Sequence, residues 1–169
     1  MNSTRNISAS EYIRLLLRWL VGGLFLYMGL SKALHPVEFL KLVRQYEMVA
    51  QPWLLNSIAA VLPWFEILCG TFLLVGVLRR GTAMMVLLML VPFTIIVARR
   101  AFAIHAEAGT PFCDIKFDCG CGAGEVVICH KLLENGLLTL VALWLAWQPD
   151  RLLTFGCRAR GAAEPVTVP

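Results

Sequence analysis

Four stretches of mainly apolar residues, each long enough to cross a lipid bilayer as a helix, recur along this chain of 169 residues. A transmembrane helix needs about 20 such residues, because each residue adds about 1.5 Å and the hydrocarbon core is about 30 Å thick. The sequence therefore predicts an all-α polytopic membrane protein, a single domain over residues 1–169 whose four transmembrane helices form a bundle. The predicted helices occupy about residues 13–34, 54–78, 82–100 and 132–148, followed by a C-terminal tail over residues 149–169.

The composition excludes the other common classes of protein. The chain is 59% apolar and 15% charged, whereas a soluble domain is about 45–50% apolar and about 25% charged. A soluble domain of this size could not bury so much apolar surface, and a disordered chain would be poor in apolar residues. The basic residues are spread between the apolar blocks and form no stripe, so we expect the lipid bilayer and not nucleic acid as a partner.

Basic residues also predict the orientation, because short cytoplasmic loops are enriched in Lys and Arg. The pair Arg79 and Arg80 lies in the tight turn between the second and third predicted helices, with no acidic residue nearby. We therefore expect a multi-pass protein of the bacterial inner membrane with both termini in the cytoplasm. The connections over residues 35–53 and 101–131 then lie outside, in the periplasm.

Four of the six cysteines lie in the second of these outer connections, between the third and fourth predicted helices. They follow the order C-x5-C-x-C-x7-C, as Cys113, Cys119, Cys121 and Cys129. Disulfides persist in the oxidising periplasm, so the position of the cysteines agrees with the predicted orientation. Four cysteines allow three connectivities. Three interpretations compete: structural disulfides that hold the loop, thiol–disulfide chemistry, and a metal site.

The spacing favours thiol–disulfide chemistry. A disulfide between Cys119 and Cys121 would close a very small ring, and strained disulfides exchange readily. Gly120 between them provides the backbone freedom that such a ring requires. Cys113 and Cys129 would form a second pair that passes electrons on or resolves the first. The attacking species is a thiolate, which cationic neighbours stabilise; the candidates are Lys116, His130 and Lys131.

The metal interpretation has less support from the spacing. The cysteines match neither the paired C-x2-C ligands of zinc sites nor the cysteine runs of iron–sulfur proteins. In this alternative, Cys119 and Cys121 bind a copper ion, with His105 or His130 as a further ligand. We expect no metal site.

A carboxylate lies in the middle of the second predicted helix. Glu66 at the bilayer centre would cost about 3 kcal/mol, so it should face the bundle interior and have a partner. Lys32, near the outer end of the first predicted helix, is one candidate, and Tyr27 is the other. Gly22 and Gly29 share a helix face with Lys32 and would permit a close neighbour. The pair of Lys32 and Glu66 either fixes the packing of the bundle or serves a proton relay or the headgroup of a quinone.

The order of these residues resembles that of a known family. The DoxX-like family of four-helix bacterial membrane proteins is similar over about residues 12–148. The motif Asp118-Cys119-Gly120-Cys121-Gly122 narrows the resemblance to its redox-associated MauE-type branch, named for methylamine utilisation. The other residues that carry it are Arg18, Leu24, Phe25, Gly29, Lys32, Pro36, Phe39, Tyr46, Leu62, Pro63, Glu66 and Gly70.

This resemblance implies a role in forming or relaying disulfides in extracytoplasmic proteins, with a thioredoxin-like partner or a disulfide-containing client. Other DoxX-like proteins resemble a subunit of thiosulfate:quinone oxidoreductase, so a quinone-linked subunit that acts on sulfur compounds is the alternative function. Both an oxidoreductase and an accessory subunit of one fit the resemblance. MauE-type sequences commonly read Cys-Gly-Cys-Phe-Gly, whereas this chain has Gly122 and Ala123 after Cys121 and adds Cys129.

Overall fold

The computed structural model describes residues 9–46, 51–120 and 124–147. Within these residues the chain forms the helices α1 (Ala9–Leu34), α2 (Pro36–Gln45), α3 (Pro52–Val75), α4 (Arg79–Ala108) and α5 (Ile128–Trp147). A short 3-10 helix (Phe112–Asp114) and two strands, β1 (Lys116–Asp118) and β2 (Glu125–Val127), lie between α4 and α5. Cys121 and the predicted tail over residues 149–169 lie outside the described residues.

Four of the helices, α1, α3, α4 and α5, are long and apolar enough to cross a membrane. The shortest, α5, has 20 residues and extends about 30 Å, the thickness of the hydrocarbon core. The outer surfaces of these helices carry large apolar side chains, which suit contact with lipid; examples are Leu16, Trp64, Leu88, Leu133 and Trp147. The predicted fold class, an all-α membrane protein with four transmembrane helices, is confirmed.

Glycines allow α1 and α3 to pack in close contact. A Cβ atom on Gly70 of α3 would lie 2.6 Å from the backbone nitrogen of Leu26 and 2.7 Å from the carbonyl oxygen of Gly22. Backbones approach this closely only where a side chain is absent, as at many interfaces between transmembrane helices. The prediction that the face of Gly22 receives a neighbouring helix agrees with this contact.

The helices α4 and α5 form a second antiparallel pair, and the two pairs meet in a central apolar core. The core residues are Val21 and Phe25 of α1, Cys69 and Leu73 of α3, Val86 and Leu90 of α4, and Leu138 and Ala142 of α5. At the end of this pair where α4 begins, Arg80 Nε donates a hydrogen bond to the carbonyl oxygen of Ala146 at 3.1 Å. This bond satisfies a carbonyl in the last turn of α5, which has no partner within the helix.

A small β-hairpin lies at the opposite end of the bundle, where α4 ends and α5 begins. Lys116 pairs with Val127 and Asp118 pairs with Glu125, so the ends of the strands at Asp118 and Glu125 mark the tip of the hairpin. A second apolar core joins the hairpin to the helices; its buried residues are Val97, Ala101, Ile115, Cys119 and Ile128. The hairpin is therefore packed against the bundle.

Several boundaries differ from those predicted. The segment over residues 35–53, expected to be an outer connection, contains α2, and Pro36 at its start suits the first turn of a helix. The helix α3 ends at Val75, before residue 78, because Gly76 adopts the left-handed conformation with a φ of 84°. The second predicted helix is therefore shorter at its carboxyl end.

The connection that contains the cysteines is also shorter than predicted. The helix α4 begins at Arg79 and continues to Ala108, beyond the predicted end at residue 100, and Gly109 ends it with a φ of 64°. The helix α5 begins at Ile128, before residue 132. The connection therefore covers residues 109–127 and not 101–131, and the last cysteine of the cluster is helical.

Candidate functional site

A disulfide between Cys113 and Cys129 closes the base of the hairpin. Cys113 lies in the 3-10 helix before β1, Cys129 lies in the first turn of α5, and their Cα atoms are 5.1 Å apart. Next to it, the backbone N–H of Ile128 donates to the carbonyl oxygen of Ile115 at 3.1 Å. Cys113 is exposed and Cys129 is half-buried. These two residues are the predicted second pair, and their bond ties both ends of the hairpin to the start of α5.

Cys119 lies at the opposite end of the hairpin, where β1 ends, and it is only 1% exposed. It is also in a disulfide, whose other sulfur lies outside the described residues. Gly120 follows with a φ of 76°, a conformation that favours glycine. Its N–H donates to the Asp118 Oδ1 atom at 2.8 Å, the side-chain-to-backbone bond by which Asp stabilises turns. Asp118 and Gly120 thus fix the turn that holds Cys119 against the bundle.

Tyr46, directly after α2, holds the tip of the hairpin from the other side. Its hydroxyl donates a hydrogen bond to the carbonyl oxygen of Cys119 at 3.1 Å. Its ring lies edge-on to Phe117, with 6.4 Å between the ring centres. Burial, reinforced by the negative charge of Asp118, raises the pKa of Tyr46 above its usual value despite the opposing charge of Arg100. The phenol therefore stays protonated and able to donate at neutral pH.

Glu66 and Lys32 form an ion pair between α3 and α1. Lys32 Nζ lies 2.5 Å from Glu66 Oε1, and each residue is 7% exposed. Gly29 makes the approach possible, because a Cβ atom there would lie 2.9 Å from the Cβ of Glu66. Lys32 Nζ also lies 5.3 Å from the centre of the Phe39 ring, within the range of a cation–π interaction. The alternative partner, Tyr27, is wrong, because its side chain is 60% exposed on the outside of the bundle.

The ion pair and Cys119 line the same cavity, which has a volume of about 160 Å³. The structure thus brings together three of the predicted site residues, Cys119, Lys32 and Glu66, whereas Cys113 and Cys129 do not line this cavity. The helix α2 contributes apolar side chains to it, as do the four transmembrane helices. The apolar lining includes Phe25, Met28, Phe39, Leu42, Val43, Leu62, Met89, Phe93 and Leu138.

Two polar residues of α5 complete the cavity. Lys131 and Asn135 lie one turn apart and are 3% and 1% exposed. Lys131 Nζ pairs with Glu134 Oε2 at 3.1 Å. Among the described residues, neither Asn135 Nδ2 nor Glu66 Oε2 has a hydrogen-bond partner. Asn135 was not among the predicted site residues. The signal for it in the sequence was its spacing of four residues from Lys131, which places both on one face of an otherwise apolar helix.

The other residues predicted to assist the cysteines are more dispersed. Lys116 and His130 are exposed on the hairpin and on α5. His105 Nδ1 lies 2.6 Å from the carbonyl oxygen of Thr110, and its ring lies edge-on to Phe112. Within the part of the chain that the structure describes, no group of three or more His, Cys, Asp or Glu side chains is placed to hold a metal ion.

This arrangement places a sulfur next to groups that hold protons. The Cys119 disulfide adjoins a cavity that contains an ammonium, a carboxylate and an amide, from Lys32, Glu66 and Asn135. Reduction of a disulfide to two thiols takes up two electrons and two protons, and the reactive form of the thiol is the thiolate. The site therefore combines a disulfide-bonded cysteine with a buried polar cluster that can stabilise charge beside it.

The family of the chain follows from comparison with known proteins. No curated protein and no solved structure matches the chain. The family model described as methylamine utilisation protein MauE matches residues 10–148, a range that includes α2 to α5, all but the first residue of α1, and the cysteine-containing connection. The chain belongs to the MauE family of membrane proteins.

Proposed function

We propose that the chain exchanges thiols and disulfides at the outer face of a bacterial inner membrane, with Cys119 and Cys121 as the pair that cycles between dithiol and disulfide. The observation that carries the proposal is the position of Cys119, disulfide-bonded at the tip of a hairpin that is closed at its base and bound by Tyr46 at its tip. Membership of the MauE family supports an accessory role in redox chemistry linked to methylamine utilisation.

Within this pair, Cys121 exchanges with the partner and Cys119 adjoins the cavity. Exchange proceeds by attack of a thiolate on one sulfur, through a mixed disulfide. Because Cys119 is 1% exposed, a thiolate on another protein cannot reach its sulfur while the hairpin is folded. The attack therefore falls on Cys121. The partner is a thioredoxin-like protein or a disulfide-containing client.

The Cys113–Cys129 disulfide has a structural task in this proposal. It lies at the base of the hairpin and Cys119 lies at the tip. A strand advances about 3.3 Å per residue, so the four residues from Ile115 to Cys119 separate the two ends by about 13 Å. Direct exchange between the pairs would require the hairpin to open. The alternative hypothesis, that Cys113 and Cys129 relay electrons, is tested with the same variants.

The proposed orientation places the hairpin in the periplasm and both termini in the cytoplasm. Arg79 and Arg80 begin α4 at the end of the bundle opposite to the hairpin, where the positive-inside rule favours the cytoplasm. A membrane-impermeant maleimide applied to spheroplasts after reduction should label cysteines of the hairpin. If labelling requires permeabilised membranes, the orientation is wrong.

The exchange activity is tested with the full chain in lipid nanodiscs. The substrate is a fluorescent peptide with two thiols, and oxidised glutathione is the electron acceptor. The wild type should accelerate oxidation of the peptide, and Cys119→Ser and Cys121→Ser should each abolish the acceleration. Cys69→Ala is the matched control, because Cys69 is a free cysteine in the central core. Full activity of Cys121→Ser would overturn the proposal.

The same assay separates the two tasks considered for Cys113 and Cys129. If their disulfide only holds the hairpin, the double variant Cys113→Ala and Cys129→Ala keeps exchange activity below its unfolding temperature. If the pair relays electrons, the double variant loses its exchange activity even though it remains folded, as Cys121→Ser does.

The alternative function, a quinone-linked subunit that acts on sulfur compounds, draws support from the cavity. Its chemistry does not require the Cys119 disulfide, because the sulfur compound is itself the electron donor. Reduction of a quinone by thiosulfate, unchanged in Cys119→Ser, would favour this alternative. Reduction that depends on a dithiol and on Cys119 favours thiol–disulfide exchange.

A further inference from the structure

The cavity next to Cys119 contains buried polar atoms that no described residue satisfies. Glu66 Oε2 is a hydrogen-bond acceptor and Asn135 Nδ2 is a donor, and both lack a partner among the described residues. The two residues are 7% and 1% exposed, and both line the cavity. Buried polar atoms are rarely left without partners, because they have given up their hydrogen bonds to water. An acceptor and a donor in one cavity therefore indicate a bound molecule that accepts from Asn135 Nδ2 and that donates to Glu66 Oε2 in at least one of its redox states.

The remainder of the lining suits a flat organic ring. Sites for small molecules are mostly apolar, with a few polar groups that fix the orientation of the ligand. The volume of about 160 Å³ is close to the roughly 150 Å³ of an apolar cavity that admits benzene. Ile58 of α3 and Ile96 of α4 add two half-buried apolar side chains to the lining. The lining therefore suits an apolar ring that carries few polar groups.

We propose that this cavity binds the headgroup of a membrane quinone, with Asn135 and Glu66 as its hydrogen-bonding residues. One quinone oxygen accepts a hydrogen bond from Asn135 Nδ2. In the reduced form, a quinol hydroxyl donates to Glu66 Oε2. Lys32, bound to the other oxygen of Glu66, holds that carboxylate in place. The volume of about 160 Å³ admits an aromatic-sized ring.

A bound quinone would be the electron acceptor for the proposed cysteine pair, because Cys119 lines the same cavity. The S–H bonds of Cys119 and Cys121 break and one S–S bond forms. The two electrons reduce the quinone ring, and the two protons end on its two oxygens, which gives a quinol. This redox step rests on the proposed function, whereas the binding of the quinone does not.

Binding is tested by isothermal titration calorimetry on the full chain in nanodiscs, with decylubiquinone and menadione as probes. The wild type should bind decylubiquinone saturably, and Asn135→Leu should bind it about tenfold more weakly because one hydrogen bond is lost. Asn135→Ala, whose smaller side chain cannot block the ligand, should weaken binding to a similar degree. Asn56→Leu is the matched control, since Asn56 is exposed on α3 and does not line the cavity.

The outcomes of this titration decide the proposal. Binding of menadione in preference to decylubiquinone, with the same loss in Asn135→Leu, supports the quinone site with a two-ring quinone as its source. The absence of saturable binding by either probe overturns the proposal. Binding by Asn135→Leu and Asn135→Ala with the affinity of the wild type also overturns it, because the unpaired amide would then have no role.

The redox step is tested by mixing reduced protein, freed of excess reductant, with decylubiquinone. The wild type should yield one quinol for each disulfide formed, whereas Cys119→Ser should bind the quinone and yield none. Quinol formation by Cys119→Ser overturns the step. The two proposals fail separately. A wild type that exchanges peptide thiols but binds no quinone overturns the quinone site alone, and quinone binding with full exchange activity in Cys121→Ser overturns the proposed function alone.

Discussion

Replacement of Gly70 by alanine should separate α1 from α3 and destabilise the bundle. The new Cβ atom would lie 2.6 Å from the backbone nitrogen of Leu26 and 2.7 Å from the carbonyl oxygen of Gly22. Both are backbone atoms of α1, so no side-chain rotation relieves the contact. Ordinary contacts begin near 3.4 Å, so the two helices must move apart by roughly 0.8 Å. A gap of that size forfeits about a quarter to a half of each van der Waals contact across it.

Two opposing terms set the magnitude of this effect. Overpacking of a well-packed interface costs about 1–3 kcal/mol, and alanine gains up to about 1 kcal/mol over glycine in a helix interior. Gly23→Ala isolates the second term, because a Cβ atom at Gly23 of α1 would meet nothing within 4 Å. Gly70→Ala should therefore be about 1–3 kcal/mol less stable than Gly23→Ala.

The free energy of unfolding of both variants is measured by steric trapping of the full chain in bicelles. Glu66 lies one turn before Gly70 on α3, so the separation should also lengthen its contact with Lys32. If Gly70→Ala is as stable as Gly23→Ala, the close backbone contact does not exist and the argument for how α1 and α3 pack is wrong.

Three further variants test the site. Lys32→Met should lower the free energy of unfolding by about 3–5 kcal/mol, because it leaves the Glu66 carboxylate buried without a partner. Adding Glu66→Leu should recover most of this loss. Strict additivity in the double-mutant cycle would refute the pairing. Replacing Cys113 and Cys129 by alanine should lower the free energy of unfolding by about 3 kcal/mol, the value expected for closing a loop of about 15 residues. Unchanged hydrogen exchange in the hairpin would contradict this stabilising role of the disulfide. Tyr46→Phe should cost about 1 kcal/mol for its lost hydrogen bond. Because the folded state raises the pKa of this phenol, the cost should be constant from about pH 6 to 9 and shrink above about pH 10, where the unfolded phenol ionises. A cost that stays constant above about pH 10 would show that the folded state does not raise this pKa.

The transmembrane helices and the ion pair were predictable from the sequence because both follow from the cost of polarity in lipid. About 20 apolar residues in succession leave few alternatives to a transmembrane helix, and a carboxylate at Glu66 requires a partner. Lys32 is that partner in the structure. Tyr27 failed as a candidate because depth in the membrane does not determine which face of a helix a residue occupies.

The amphipathic helix α2 was missed although the sequence contained a signal for it. Pro36 marks a helix start, and Phe39, Leu42 and Val43 recur at helical spacing among charged residues. A segment of 10 residues is too short for a transmembrane helix, so the length of its apolar run does not identify it as a helix. Its apolar face lines the cavity, which makes it part of the candidate site.

The cavity itself could not be predicted, because it depends on how separate elements pack. Cys119, Lys32, Glu66 and Asn135 lie on the hairpin, α1, α3 and α5. Their convergence requires that α1, α3 and α5 pack together and that the hairpin folds back onto the bundle. Neither is encoded in a local pattern. The spacing of the cysteines predicts thiol–disulfide chemistry, whereas the burial of Cys119 and its place in the lining of the cavity required the three-dimensional structure.

The proposed division of roles between Cys119 and Cys121 provides the sharpest test of the exchange. Each cysteine is left alone in turn, as Cys119→Ser and Cys121→Ser. The full chain in nanodiscs is incubated with a thioredoxin-type protein whose single active-site cysteine carries a thionitrobenzoate leaving group, and the products are analysed by mass spectrometry. We predict a mixed disulfide at Cys121 in Cys119→Ser and none at Cys119 in Cys121→Ser, because Cys119 is 1% exposed. Adducts that form equally in both variants, or only at Cys113 and Cys129, would contradict the proposal that the tip of the hairpin exchanges with a partner.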